Sequence, residues 1–274
     1  MSRLSTVFRK LLSLLPLPVS VRLPTDPIPV SWPELVARQV PLVARLSSPD
    51  RERLYRLMQL FLRDAPIEGC KGLEVTEEIR VTIAAQACLL LLRLRHPKYT
   101  NVRRVLVYPS SFIPKAAGFH PTGQIARPEV PLDGQAWQTG VVVLGWDAVR
   151  RGTLVATDGG NVVIHEFAHM LDAEDGSMDG TPILDSGSAY RAWGALLSAK
   201  FAEHVRRAER GERTTLDPYG AENRAEFFAV ATEAFFEKPA ALRQDHPRLY
   251  ALLVDFFKLD PADMTASTDE GGTP

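Results

Sequence analysis

The stretch that decides the fold is NVVIHEFAHMLD, at residues 161–172. Apolar residues surround its two histidines on the helical period, and Asn161 stands where a helix N-cap belongs. This pattern predicts a largely buried helix from Val162 to Leu171. In a helix, His165 and His169 lie on one face about one turn apart, so both imidazoles can reach one cation at about 2.0–2.1 Å. Buried imidazoles need a partner, and a single zinc ion is the simplest one.

Glu166 has a different place on the same helix. It follows His165 directly and is therefore rotated away from direct ligation of the ion. It is placed instead to accept a proton from a water molecule beside the metal. We therefore predict that Glu166 is the general base of a metal-dependent hydrolase.

The third ligand can come from two places in the sequence. A metzincin-like spacing points to Asp175, but that pattern needs a glycine at position 172, where this chain has Asp172. The alternative is a glutamate from a later predicted helix, residues 221–236. Glu226 and Glu233 both border the buried stripe of that helix, and periodicity alone does not choose between them. Glu222 and Glu237, near the helix ends, are expected to be solvated.

Asp172 follows His169 by three residues on the same side of the helix. Two roles remain open for it: to orient a ligand histidine by accepting its second ring N–H, or to interact with the helix end.

A family resemblance rests on these segments together with two others, Asp217-Pro218-Tyr219 and Ala225-Glu226-Phe227-Phe228-Ala229-Val230. Combined with strand-like sequences at residues 105–109 and 142–146, they resemble the Mlc titration factor A family of bacterial zinc peptidases across roughly residues 35–260. The resemblance implies a gluzincin-type site with Glu226 as third ligand. We then predict that Glu233, like Asp172, supports the metal ligands without binding the metal itself. It also implies a role for Tyr219, whose phenol is suited to stabilising an oxyanion. Finally, it implies a transcriptional repressor of sugar uptake as a further partner.

The rest of the chain predicts a mainly helical α+β fold of the zincin type, with a small sheet preceding the active-site helix. Helices are predicted over residues 32–62, the second of them capped by Ser48, and over residues 76–94, 188–208, 221–237 and 246–257. Residues 102–108 and 140–146 have the β-branched character of strands. Residues 110–139 and 175–187 are expected to be loops.

Composition limits the remaining possibilities. There are 32 Lys and Arg against 33 Asp and Glu, which gives no electrostatic footprint for nucleic acid. No apolar stretch reaches the roughly 20 residues of a membrane span. The basic and apolar start of the chain is interrupted by Pro16 and Pro18, so we interpret it as an arm rather than a secretory signal. We expect a proline-rich arm at 1–30, a peptidase domain at 31–262, a disordered tail at 263–274, and a cytoplasmic location.

Peptide or protein substrates follow from this site, with aminopeptidase and endopeptidase action left open. The competing hypothesis is a regulatory binding protein that sequesters a partner, in which zinc is structural or vestigial. An open coordination position favours catalysis, and a closed four-ligand site favours the structural role.

Overall fold

The computed structural model describes residues 21–110, 134–136, 140–154 and 159–264. Within these ranges, four short strands form one sheet: β1 (Ile67–Gly69), β2 (Arg104–Tyr108), β3 (Gly134–Ala136) and β4 (Val141–Gly145). Their order is β1-β2-β4-β3, with β1, β2 and β4 parallel and β3 antiparallel at the edge. The predicted α+β class with a small sheet before the central helix is confirmed.

Helices make up most of the described chain. They are α1 (Trp32–Gln39), α2 (Ser48–Asp64), α3 (Glu77–Leu89), α4 (Trp146–Leu154), α5 (Val162–Asp172), α6 (Gly187–Glu209), α7 (Arg224–Glu237), α8 (Pro239–Asp245) and α9 (Pro247–Phe257). Short 3₁₀ turns occur at Pro41–Arg45, Ala173–Asp175 and Pro218–Ala221. None of the helices in the described ranges is long and apolar enough to cross a membrane.

Helix α5 lies at the centre of this architecture. It packs against α7 on one side and against α3, α4 and the sheet on the others. Phe167, fully buried, meets the rings of Phe61 and Tyr99 at centroid distances of 5.5 and 5.0 Å. Because aromatic contacts of this kind fix ring orientation, they also fix the rotation of α5 about its axis. That rotation decides which way the histidines point.

Several predicted boundaries need correction. The N-cap of α2 is Ser47, whose side chain accepts from the Asp50 N–H, so Ser48 is the first helical residue and not the cap. Helix α3 begins after Thr76 as predicted, but it ends at Leu89 and continues only as turns, short of the predicted Leu94.

Four of the described elements were not predicted from sequence: β3 lies in the predicted 110–139 loop, and the other three are β1, α4 and α8. Strand β1 is only three residues long, too short to show an alternating pattern. Helix α4 follows β4 without a break, so the predicted strand extended one residue too far, into Trp146. Helix α8 is separated from α9 by His246 alone. Most of the predicted 110–139 loop lies outside the described residues. Residues 1–20 of the predicted arm and 265–274 of the predicted tail lie outside them as well, so the predicted limits of the arm, the domain and the tail stay predictions.

Candidate metal centre

The N-terminus of α5 is fixed by Asn161. Its side-chain oxygen accepts from the backbone N–H groups of Val163 and Ile164, both at 3.1 Å, which satisfies two donors that the first helical turn leaves free. The predicted cap is therefore present. It fixes where the helix begins, and so where the two histidines come on its face.

Three side-chain atoms converge beside α5. The Nε2 atoms of His165 and His169 lie 3.2 Å apart, and one oxygen of Glu226, Oε2, lies 3.0 Å from the first and 3.2 Å from the second. Glu226 comes from the first turn of α7, which packs directly against α5. In the part of the chain that the structure describes, these three residues are the only group able to hold a metal ion.

The spacing of these atoms suits a tetrahedral ion. Two bonds of about 2.0–2.1 Å that meet at the tetrahedral angle separate their ligand atoms by roughly 3.3 Å. The three observed separations are 3.0, 3.2 and 3.2 Å. The donor set of two imidazole nitrogens and one carboxylate oxygen is also one that catalytic zinc uses. The residues present therefore fit a zinc ion.

The second carboxylate of α7 acts on the other side of the same imidazole. Glu233 Oε1 lies 2.7 Å from His165 Nδ1, and because a carboxylate only accepts, Nδ1 carries the proton and donates. Nε2 is then the ring nitrogen available to a metal ion, which must displace the proton that Nε2 carries in the metal-free ring. The other oxygen of Glu233 accepts from the Asn161 backbone N–H at 2.6 Å.

The charges within the cluster shift the pKa values of its own members. Burial by itself lowers the pKa of His165, but Glu233 and Glu226 outweigh burial and hold that pKa well above its ordinary value. For Glu226, burial raises the pKa, but the contacts with His165 and His169 hold it well below its usual range. Glu226 is thus ionised, which is the form that binds a cation.

Glu166 is buried beside the cluster, with 5% of its surface exposed. Burial raises its pKa to about 7, against the opposing effect of both histidines. Its Oε2 atom has no hydrogen-bond partner among the described residues. A carboxylate that is buried and has a free oxygen can accept and release a proton near neutral pH.

Tyr219 stands at the open side of the cluster, in the 3₁₀ turn that precedes α7. Its side chain is 46% exposed, and its ring centroid lies 6.0 Å from that of His165. Asp217 fixes this turn by accepting from the Tyr219 N–H at 2.8 Å. Burial of part of the ring, with the charge of Glu226, raises the pKa of the phenol, so it stays protonated and able to donate.

Asp172 is fully buried at the end of α5, and its carboxylate accepts from the backbone N–H groups of Gly180 at 2.8 Å and Thr181 at 2.7 Å. It therefore anchors the loop after α5. Within the described ranges His169 Nδ1 has no hydrogen-bond partner, so Asp172 makes no hydrogen bond to it. Asp175, the alternative third ligand, is not in the group that can hold a metal.

Glu237 differs from the sequence expectation that it is solvated. It is only 8% exposed, and its Oε1 accepts from Asn161 Nδ2 at 2.9 Å. Asn161 thereby bonds both Glu233, through its main chain, and Glu237, through its side chain. No pattern in the sequence indicates this second role of Asn161, because capping alone explains an asparagine at this position.

Comparison with known proteins places this chain among metallo-peptidases. Residues 19–258 match the family model described as glucose-regulated metallo-peptidase M90. The uncharacterized protein slr2042 of Synechocystis is 36% identical over 86% of each chain. Mlc titration factor A of Klebsiella pneumoniae is 30% identical over 84% of this chain and 86% of its own length, and that of Salmonella enteritidis is 29% identical over 88% and 91%. This chain belongs to the glucose-regulated metallo-peptidase M90 family.

Proposed function

We propose that this protein is a zinc-dependent peptidase that hydrolyses peptide bonds. The observation that carries the proposal is the convergence of His165 Nε2, His169 Nε2 and Glu226 Oε2 within 3.0–3.2 Å of one another, beside the buried carboxylate of Glu166. Three protein ligands with a fourth position open are typical of catalytic zinc sites, whereas structural sites have four.

Zinc, when bound, supplies Lewis-acid polarisation of the scissile carbonyl and a lowered pKa for the attacking water. The protein contributes the remaining parts. Glu233 accepts from Nδ1 of His165 and so leaves Nε2 as the nitrogen that a metal ion binds after displacing its proton. Glu226 supplies negative charge and one ligand oxygen.

Proton transfer is assigned to Glu166. A free Oε2 accepts a proton from water as the oxygen attacks the peptide carbonyl, and Glu166 then returns this proton to the departing amine. Burial raises the pKa of Glu166 and so favours the protonated form that the first step produces and the second step uses. Tyr219, protonated and partly exposed, donates to the developing oxyanion.

The test pairs two variants with two measurements. Glu166→Gln is expected to retain zinc, measured by elemental analysis, and to lose hydrolysis of chromogenic peptides. His165→Ala is expected to lose both. If Glu166→Gln cleaves peptides at the wild-type rate, Glu166 is not the general base. If His165→Ala keeps its full zinc content, the proposed metal site is wrong.

Aminopeptidase action is the form to examine first, with amino-acyl p-nitroanilides compared against the same compounds blocked at the amino group. Cleavage of only the unblocked compounds supports an aminopeptidase, and equal cleavage supports an endopeptidase. We also propose a cytoplasmic location, which agrees with the unpaired state of Cys70 and Cys88.

A second candidate function is sequestration of a repressor protein. It is favoured by the name Mlc titration factor A, which several relatives carry. In this function the metal would stabilise the fold, and the surface of the protein would bind the repressor. Purified Mlc offered to wild type and to Glu166→Gln distinguishes the two functions: equal binding by both proteins with no peptide cleavage supports sequestration alone.

A further inference from the structure

A cavity lies at the N-terminal end of α5, and none of the proposed metal ligands lines it. Its volume is about 90 Å³. Most of its wall is apolar and comes from the segment after α1 and from α3, α5 and α7: Val40, Pro41, Leu42, Leu89, Ile164 and Phe236. A single water needs roughly 10–15 Å³ by this measure, and a cavity of about 150 Å³ holds benzene. The space therefore suits a small branched aliphatic group.

The side-chain oxygen of Gln86, a residue of this wall, is a buried polar atom without a partner among the described residues. Gln86 is 1% exposed, and its Nε2 donates to the Thr82 carbonyl at 3.2 Å. Because buried polar atoms are nearly always bonded, this oxygen indicates a missing N–H or O–H donor from an occupant of the cavity.

Two opposite charges border the same space. The Glu237 carboxylate lies in the wall and is buried, so it favours a cationic donor over a neutral one. Arg45, exposed in the Pro41–Arg45 turn, also borders the cavity, and its side chain makes no ion pair with any described residue. A free guanidinium is suited to binding a carboxylate.

An ammonium group, a small branched aliphatic group and a carboxylate occur together in an aliphatic α-amino acid. We propose that this cavity binds a small aliphatic amino acid of the size of valine. Its ammonium donates to Gln86 Oε1 on the side of the cavity that Glu237 lines. Its side chain packs against the apolar wall, and its carboxylate accepts from the guanidinium of Arg45. Such amino acids are released by aminopeptidases, so a role in product sensing rests on the proposed function, whereas the binding itself does not.

The experiment is calorimetric titration of the zinc-loaded full-length protein with L-valine. We expect saturable binding of valine. Isobutylamine, which lacks the carboxylate, and isovalerate, which lacks the ammonium, should each bind at least tenfold more weakly. Gln86→Leu and Arg45→Ala should each weaken valine binding at least tenfold. The control Arg38→Ala removes an exposed arginine of α1 that does not line the cavity, and it should bind as wild type.

A zinc site can itself bind amino acids, and the variants separate the two sites. Valine binding that is unchanged in both Gln86→Leu and Arg45→Ala comes from the metal site and overturns the proposal, as does the absence of saturable binding at 10 mM valine. Because Arg45 is exposed, Arg45→Ala is expected to fold, and it tests the cavity even if Gln86→Leu does not fold. A protein that binds valine at the cavity but cleaves no peptide keeps this proposal and refutes only the peptidase function.

Discussion

Replacing Glu233 by glutamine tests how the protein prepares His165 for a metal. The carboxylate accepts two hydrogen bonds, from His165 Nδ1–H at 2.7 Å and from the Asn161 N–H at 2.6 Å. A glutamine side chain has one acceptor oxygen and one donor group. The glutamine of Glu233→Gln therefore cannot accept hydrogen bonds from both partners at once.

One placement of the new amide weakens zinc binding, and the other destabilises the fold. If its oxygen faces Asn161, its NH₂ donates to His165 Nδ1, and the ring proton moves to Nε2, the atom that must bind zinc. If its oxygen faces His165, the Asn161 N–H is left buried and unpaired, which costs about 1–3 kcal/mol. Loss of such a supporting contact typically lowers metal affinity about 10–100-fold, or roughly 1.4–2.7 kcal/mol.

The assay is competition for zinc with a chromophoric chelator at constant pH, for wild type, Glu233→Gln and a matched control. Glu222→Gln makes the same charge change four residues before Glu226, at an exposed position without a hydrogen bond to His165. It should change zinc affinity less than about twofold, because exposed charges are screened by solvent. Nitrogen NMR of the imidazoles reports the tautomer of His165 directly.

An unchanged zinc affinity in Glu233→Gln would refute this reasoning, and so would equal losses in Glu233→Gln and Glu222→Gln. The second result would mean that only net charge near the site matters. A tenfold or greater loss confined to Glu233→Gln, with the ring proton moved to Nε2, would support it.

Three further predictions concern the surroundings of the site. Tyr219→Phe should retain zinc but lower kcat about 10²–10³-fold, as for loss of one oxyanion donor; an unchanged kcat would exclude that role. Burial raises the pKa of Glu174 from its ordinary 4.5 to about 7, although it accepts from the Thr100 N–H. The folded protein therefore binds the extra proton between about pH 4.5 and 7, so this group destabilises the fold as pH rises through that window. Between about pH 4.5 and 7, the free energy of unfolding of Glu174→Gln should fall less than that of wild type, by on the order of 2–3 kcal/mol in denaturant titrations. Parallel pH profiles of the two proteins would contradict this. Asn161→Ala should destabilise the fold by at least about 1 kcal/mol through loss of the cap, seen as a lower urea midpoint, and an unchanged midpoint would count against the cap.

The loop after α5 shows what local sequence cannot reveal. The sequence left open whether Asp172 orients a histidine or interacts with the helix end. Its hydrogen bonds go to Gly180 and Thr181, eight and nine residues further along. Helical spacing predicts which face a residue occupies, but it carries no information on which later segment folds back onto that face.

The start of α5 and the end of α7 show the same difference between local and tertiary information. Its start at Asn161, its length and the common face of its histidines follow from the sequence, because capping and the 3.6-residue period are local properties. Burial of Glu237 does not, because it depends on where the end of α7 meets Asn161. A charged residue near a helix end is solvated unless another element covers it.

For the third ligand, the sequence by itself determined that Glu226 and Glu233 share one face of α7, two turns apart. Only the packing of α7 against α5 decided their contacts: Glu226 reaches Nε2 of His165, and Glu233 reaches Nδ1 of the same ring. The period of a helix sets the direction of a side chain, whereas the distance and crossing of two helices set what that side chain touches.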